Sequence, residues 1–194
     1  MSTTTRLLFG ALLPLVAACS NAAAAAPSVT AASVDPALSR EKANAAVASI
    51  PENGADCKVI GLVGEPIAAP HVDNDALQQT IGLTHLVVFA KGEQPERRLE
   101  GTTLATVVGK KPTGELLTDH NMAFSEGSLR THNDVVPVQP TADKCIITSH
   151  VTVNFKDGTG AFAGLSGTGV GDATLNFCGG VGRAVVYARL CKAK

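Results

Sequence analysis

The chain has 194 residues and a formal net charge of −1, with 16 Lys and Arg against 17 Asp and Glu. That balance recommends neither nucleic acid nor an anionic membrane surface as a partner, since both call for clustered cations. Aromatic residues make up only 4% and Trp is absent, so a core must be built mainly from Val, Leu, Ala and Ile.

The N-terminus reads as an export leader. Met1–Arg6 carries one positive charge, Leu7–Val16 is an apolar run too short for a stable membrane anchor, and small residues follow. Val16-Ala17-Ala18-Cys19 has the form of a lipobox, in which Cys19 is acylated and becomes the mature N-terminus. Ser20 in place of an aspartate then favours delivery to an outer membrane in a Gram-negative cell. The rival reading is ordinary signal-peptidase cleavage within Ala22–Ala26. Both place the protein outside the cytoplasm, in the envelope or secreted. Loss of residues 1–18 removes Arg6 alone and leaves a net charge of −2.

Asn21–Val34 is rich in Ala, Ser and Thr and reads as a flexible tether. Asp35-Pro36 resembles a helix cap followed by Pro at the first helical position, and Pro51 is a stop, so Ala37–Ile50 is expected to hold a short helix. Its weak apolar stripe (Leu38, Ala45, Ala46, Ile50) predicts loose packing. The expected organisation is a leader over 1–18, a tether with an optional helix over 19–55, and one folded domain over 56–194.

From Asp56 onward the pattern changes to short extended runs split by turn residues, which predicts an all-β domain. The expected strands are Lys58–Val63, Gln79–Ala90, Leu99–Gly109, Glu115–Phe124, Ser128–Val136, Cys145–Phe155, Ser166–Cys178 and Ala184–Leu190. Eight such strands with glycine corners close into a small antiparallel barrel whose lumen holds side chains or one small ligand. An open β-sandwich is the alternative. Lys91–Glu100 is the densest charge cluster, of mixed sign, and reads as a solvated loop.

Five cysteines less Cys19 leave Cys57, Cys145, Cys178 and Cys191, an even number that implies two disulfides in an exported chain. No C-x-x-C spacing supports a zinc site or a thioredoxin-like centre. A hairpin turning near Gly180 would set Cys178 opposite about Ala184, leaving Cys191 about 20 Å further along the strand. That is beyond the reach of a disulfide. The expected pairs are Cys57 with Cys191, tying the first strand to the last, and Cys145 with Cys178 across neighbouring strands. Alternation puts Cys145 and Cys178 on opposite faces, so the second pair needs a bulge or a shifted register.

Between those two cysteines, Ile147, Ser149, Val151, Val153 and Phe155 share one face of a half-buried strand. A glycine-rich connection follows, and alternation resumes with Ala173, Leu175 and Phe177 on the apolar side. Gly158-x-Gly160-x-x-Ala163 imitates a dinucleotide fingerprint. That motif requires a receiving helix and an acidic residue about twenty positions on, and the continuation here is more glycine. Gly169-Val170-Gly171-Asp172 resembles one partial copy of a calcium-binding β-helix repeat, which cannot build a solenoid alone. Turning and close backbone approach are the expected uses of these glycines.

The string GTGAFAGLSGTG (158–169) resembles the signature of small secreted bacterial proteins related to the allene oxide cyclase-like barrel, the fold shared with plant dirigent proteins. SEGSLRTHND (125–134), followed by a Pro-containing loop and a strand, is similar to the same family. The resemblance covers roughly the second half of the chain. It implies a cavity-bearing barrel that, in plant relatives, positions a reactive oxylipin or a phenoxy radical rather than supplying a strong nucleophile. No functional residue of those relatives is carried over to a position here.

Chemical candidates cluster between Glu115 and Asp134. His120 shares a face with Leu116, Thr118, Met122 and Phe124, where burial suits it for proton transfer; the plainer expectation is a core histidine held by one hydrogen bond. On the next segment lie Glu126, Arg130, His132 and Asp134. The last three share one side by parity, either a charged constellation in the lumen, able to polarise a carbonyl, or a solvated outer stripe. His150 is expected to be exposed. No nucleophile elbow, metal-ligand spacing or Ser/His/Asp arrangement is present, and no cofactor is implied.

The leading functional expectation is a lipid-anchored envelope barrel that binds a small apolar ligand or another envelope protein. An isomerase or cyclase working in the lumen requires several polar residues, His120 foremost, facing a roomy cavity. A purely structural surface protein would show an exposed apolar patch and no pocket.

Overall fold

The computed structural model describes residues 38–66, 79–89, 96–141, 146–176 and 182–193. Nine strands follow a single helix, α1 (Arg40–Ala46): β1 (Ala55–Pro66), β2 (Gln79–Phe89), β3 (Arg97–Lys110), β4 (Leu116–Phe124), β5 (Gly127–Val136), β6 (Gln139–Pro140), β7 (Ile146–Lys156), β8 (Leu165–Asn176) and β9 (Gly182–Lys192). The order β5-β4-β3-β2-β1-β9-β8-β7 is closed by antiparallel pairing of β5 with β7. The result is a closed eight-stranded antiparallel barrel, with the two-residue β6 lying beside β7. Closure removes the unpaired edges that so many valine-rich strands would otherwise expose. The expected strands are present, each within a few residues of its expected ends.

Alternation sets what faces the lumen. On β7, Ser149, Val151, Val153 and Phe155 are buried and His150 is exposed. Arg97–Glu100 belongs to β3 rather than to a loop; its charges form mixed pairs such as Arg98 with Glu96 at 3.1 Å, and Arg97 with Glu126.

The two ends of the barrel are built differently. At one end the connection from β7 to β8 folds under the strands as a short 3-10 turn, Gly160–Phe162, which inserts Phe162 against Phe124 with ring centroids 5.9 Å apart. The turn is held to the β4–β5 corner by Ala161 N–H donating to the Glu126 carbonyl, 2.9 Å, and Thr159 N–H donating to that of Ser128, 2.9 Å. Gly160 has φ +57°, and a Cβ there would lie 2.2 Å from the Glu126 carbonyl oxygen, so only glycine fits. Gly171 on β8 serves close approach instead: a Cβ would lie 2.0 Å from the Val185 carbonyl oxygen of β9. Turning and close approach, not phosphate binding, account for this run.

The helix is capped by Ser39, whose hydroxyl accepts from Lys42 N–H at 3.2 Å, rather than by Asp35. Starting there places Leu38 just before the cap and Ala43 at the fourth helical position, a hydrophobic staple. Leu38, Ala43 and Val47 are buried against Val63, Val87, Phe89 and Tyr187 on the outer face of β1, β2 and β9. The expected loose packing is therefore corrected: Ala43 is 0% and Val47 1% exposed. Small residues on the helix permit that close approach, which a stripe judged by bulk does not register. Arg189 of β9 donates to the Ile50 carbonyl and secures the exit from the helix.

Cys57 and Cys191 form a disulfide between β1 and β9, the first and last strands of the barrel and direct neighbours in it. Cys57 sits at an irregularity in that pairing, between Ala55 and Lys58. Cys19, Cys145 and Cys178 lie outside the described residues, as do Asp35 and Pro36.

Candidate functional site

Phe124, Phe162, Leu129 and Leu165 pack the glycine-turn half of the lumen; the other half is lined mainly by Val, Ala, Thr and Gly, with Leu62 and Leu116 among them. These shorter side chains do not reach the axis of an eight-stranded barrel, and a cavity of about 210 Å³ remains. Its floor includes Met122 and Phe155, and it extends to Glu65 and Gly182 at the opposite end. One wall, from β1 and β7–β9, presents Leu62, Val151, Val153, Ala173, Ala184 and Val186. The other, from β2–β5, carries Thr84, Thr103, Thr118, His120, Thr131 and Asp134. The chamber is thus mainly apolar, since Leu116, Met122 and Val136 also line the second wall, and its few polar groups are gathered on that side.

The polar wall depends on a β-bulge. Thr118 of β4 faces Asp134 of β5, but His120 faces Thr131, so β5 carries one extra residue between those points. Asn133 takes that residue's strain with φ +52°, in the left-handed region Asn tolerates. Its N–H donates to the Asp119 carboxylate of the opposing strand at 2.8 Å. The bulge resets the side-chain parity of β5: Leu129 and Thr131 point in, Arg130 and His132 point out, and Asp134 and Val136 point in again. The parity grouping of Arg130, His132 and Asp134 is therefore corrected. Arg130 is exposed on the outer surface, and His132 lies outside between Asp119 (3.5 Å) and Asp157 (3.2 Å). Glu126 is at the far corner, paired with Arg97.

Asp134 is 1% exposed and accepts three hydrogen bonds. Oδ1 accepts from the backbone N–H of Asn154 at 2.7 Å, across the seam where β5 meets β7. Oδ2 accepts from the Thr131 hydroxyl and faces His120 Nδ1 at 2.8 Å. The Thr131 oxygen in turn accepts from the His120 backbone N–H at 3.0 Å and lies 3.1 Å from Nδ1, while its own proton goes to Asp134. With a carboxylate that only accepts, Nδ1 is the donor, and a neutral ring then carries a lone pair on Nε2. Nε2 has no protein partner among the described residues. The side chain is 29% exposed, so the histidine is neither sealed in the core nor held by a single contact. His120 and Thr131 also border an open cleft on the outer surface, beside Arg130 and His132.

Elsewhere on the polar wall the Thr84 and Thr103 hydroxyls bond to each other, and the Thr118 hydroxyl is buried without a partner. His150 is exposed and pairs across strands with Asp172 at 2.9 Å. Among the described residues no group of three or more His, Cys, Asp or Glu is placed to hold a metal ion. No described helix is long and apolar enough to cross a membrane.

Fold and site together define a class: a closed antiparallel β-barrel with a mainly apolar cavity and, in its wall, a partly exposed histidine paired with a buried aspartate. No family model, no curated protein and no solved structure matches the chain.

Proposed function

We propose that the chain is an exported barrel, tethered through a lipid on Cys19, that holds one small and mainly apolar molecule in its lumen. The observation that carries the reading is a mainly apolar cavity with a few hydroxyl, imidazole and carboxylate groups on one side. A ligand with a hydrocarbon body and one hydroxyl or carbonyl group satisfies both walls, as small-ligand sites generally require. A dry cavity of about 150 Å³ accommodates benzene. On that scale the present lumen suits a body of about eight non-hydrogen atoms. The Cys57–Cys191 disulfide supports an oxidising compartment, and therefore export. The eight-stranded closure is compatible with kinship to the allene oxide cyclase-like barrels, which we retain as part of the proposal. A purely structural surface role is disfavoured by the cavity, although Ile81, Leu83 and Leu104 do leave an exposed apolar patch on β2 and β3.

The test is a titration of isotope-labelled protein with benzyl alcohol and with toluene, followed by amide and methyl NMR. Shifts should concentrate on Val151, Val186 and Thr103, with benzyl alcohol bound more tightly, and Val186→Trp should abolish them. Shifts confined to the outer surface, or none, would overturn the lumen assignment. Mass spectrometry of protein recovered from its own cell envelope tests the anchor: a diacylglyceryl group on Cys19 supports it, and cleavage within Ala22–Ala26 removes it.

A further inference from the structure

We infer that His120 is a general base that moves a proton between carbon atoms of a ketone or enone bound in the lumen, with Asp134 as its positioning residue. The inference rests on the lumen-binding reading and extends it from holding a molecule to transforming one. The hydrogen-bond directions around Asp134 decide which group is the base. Asn154, Thr131 and His120 occupy three of the roughly four acceptor positions of the Asp134 carboxylate, including both on Oδ2, and the group is 1% exposed, so it faces a ligand less openly than the histidine does. The Thr131 proton is committed to Asp134 as well. The more open basic atom of this group is Nε2 of His120, on a ring that lines the cavity. A carboxylate behind Nδ1 fixes the tautomer and stabilises the imidazolium formed when Nε2 takes a proton.

A bound carbonyl has a partner on the same wall. In the Thr84–Thr103 pair one hydroxyl proton is used between the two oxygens, which leaves the other free to donate. Thr103 stands opposite Met122, and Ala105 opposite His120, so Thr103 is a diagonal cross-strand neighbour of the histidine. Diagonal neighbours of this kind lie roughly 7–8 Å apart, a span that one small ketone bridges.

The step balances without any co-reactant. Nε2 removes the proton from the carbon between the carbonyl and the alkene of a β,γ-unsaturated ketone. The C–H electron pair forms the new carbon–carbon double bond of a dienolate, whose oxygen receives the threonine hydrogen bond. The imidazolium returns its Nε2 proton to the γ-carbon, the double bond moves into conjugation, and His120 is regenerated. No atom is gained or lost and nothing is oxidised.

The experiment uses the full mature chain with cyclohex-3-enone as probe. NMR shifts report binding, and ultraviolet absorbance reports conversion to cyclohex-2-enone. The parent protein is expected to bind the probe in the lumen and to isomerise it above the buffer rate. His120→Gln should retain binding and lose about 100-fold or more of the rate, the scale of a general base. Asp134→Asn should leave KM within a few-fold, lower kcat at least tenfold, and shift the His120 ring proton to Nε2 in nitrogen-15 spectra. Binding without isomerisation by the parent, a measurement that needs no variant, overturns this inference and leaves the lumen reading standing. No binding removes both. A His120→Gln protein as fast as the parent overturns the base assignment, and an unchanged kcat and tautomer in Asp134→Asn overturns the positioning role.

Discussion

Replacing both cysteines of the β1–β9 disulfide, Cys57→Ala with Cys191→Ala, tests how the barrel is held shut. The bond spans 134 residues of sequence. Chain-entropy arithmetic for a loop of that length gives about 17 cal/mol/K, or about 5 kcal/mol at 25 °C. Disulfides commonly realise 2–4 kcal/mol of such figures. In a domain of this size each kcal/mol moves the melting temperature by about 2–4 °C. A fall of roughly 10 °C is therefore expected in thermal unfolding followed by circular dichroism. The native barrel itself should change little, because β1 and β9 remain joined by their backbone ladder from Lys58–Leu190 to Gly64–Ala184. The freed unfolded chain exposes more surface, so the urea m-value should rise together with the loss of stability. A melting temperature within about 3 °C of the parent, with an unchanged m-value, would refute the argument that this bond acts by constraining the unfolded chain.

Phe162→Ala removes the aromatic stopper under the barrel and should cost about 3–5 kcal/mol by urea titration, a loss under 1 kcal/mol showing that the turn does not plug the lumen. Gly160 and Gly164 both have positive φ, but a Cβ on Gly164 meets nothing within 4 Å. Gly164→Ala should therefore cost only about 1 kcal/mol and Gly160→Ala distinctly more, and equal losses would discount the backbone overlap at Gly160. The Glu115 carboxyl is held below its ordinary 4.5 by the Thr113 hydroxyl at 2.8 Å and then by Lys111 at 3.2 Å. Its contribution is present above the unfolded value and is lost as pH falls through the lower folded one. Thr113→Val should raise the carbon-13 NMR titration midpoint of Glu115, and an unmoved midpoint would reject the hydroxyl as the main cause.

The strands were legible because the chain writes them in period two, and Ile147–Phe155 is the clearest case. The first-to-last disulfide was legible in part: an assumed hairpin disfavours Cys178–Cys191, and tying the first strand to the last was the preferred one of the two pairings left. The candidate site was half legible. His120 stood out among apolar neighbours, but strict parity grouped Asp134 with Arg130 and His132 when it belongs with Thr131. The available signal was Asn133: an Asn-Asp step inside an alternating strand marks where a positive φ, and so a bulge, is cheapest. Helix packing was missed because Ala43, which carries little hydrophobic bulk, is the residue that lets α1 lie close to β1.

Residue order alone determined the class of fold, since alternating β-branched runs separated by glycine and turn residues leave little choice but antiparallel ribbons. It also determined that the core would be short of large side chains. Only the tertiary structure decided that the shortfall gathers into one chamber, because whether eight strands close and which end the phenylalanines fill are properties of the assembled sheet. It likewise decided that Asp134 meets His120. That encounter depends on a single extra residue in β5 at the seam with β7, and a one-residue change of register exchanges the inside and outside of a strand.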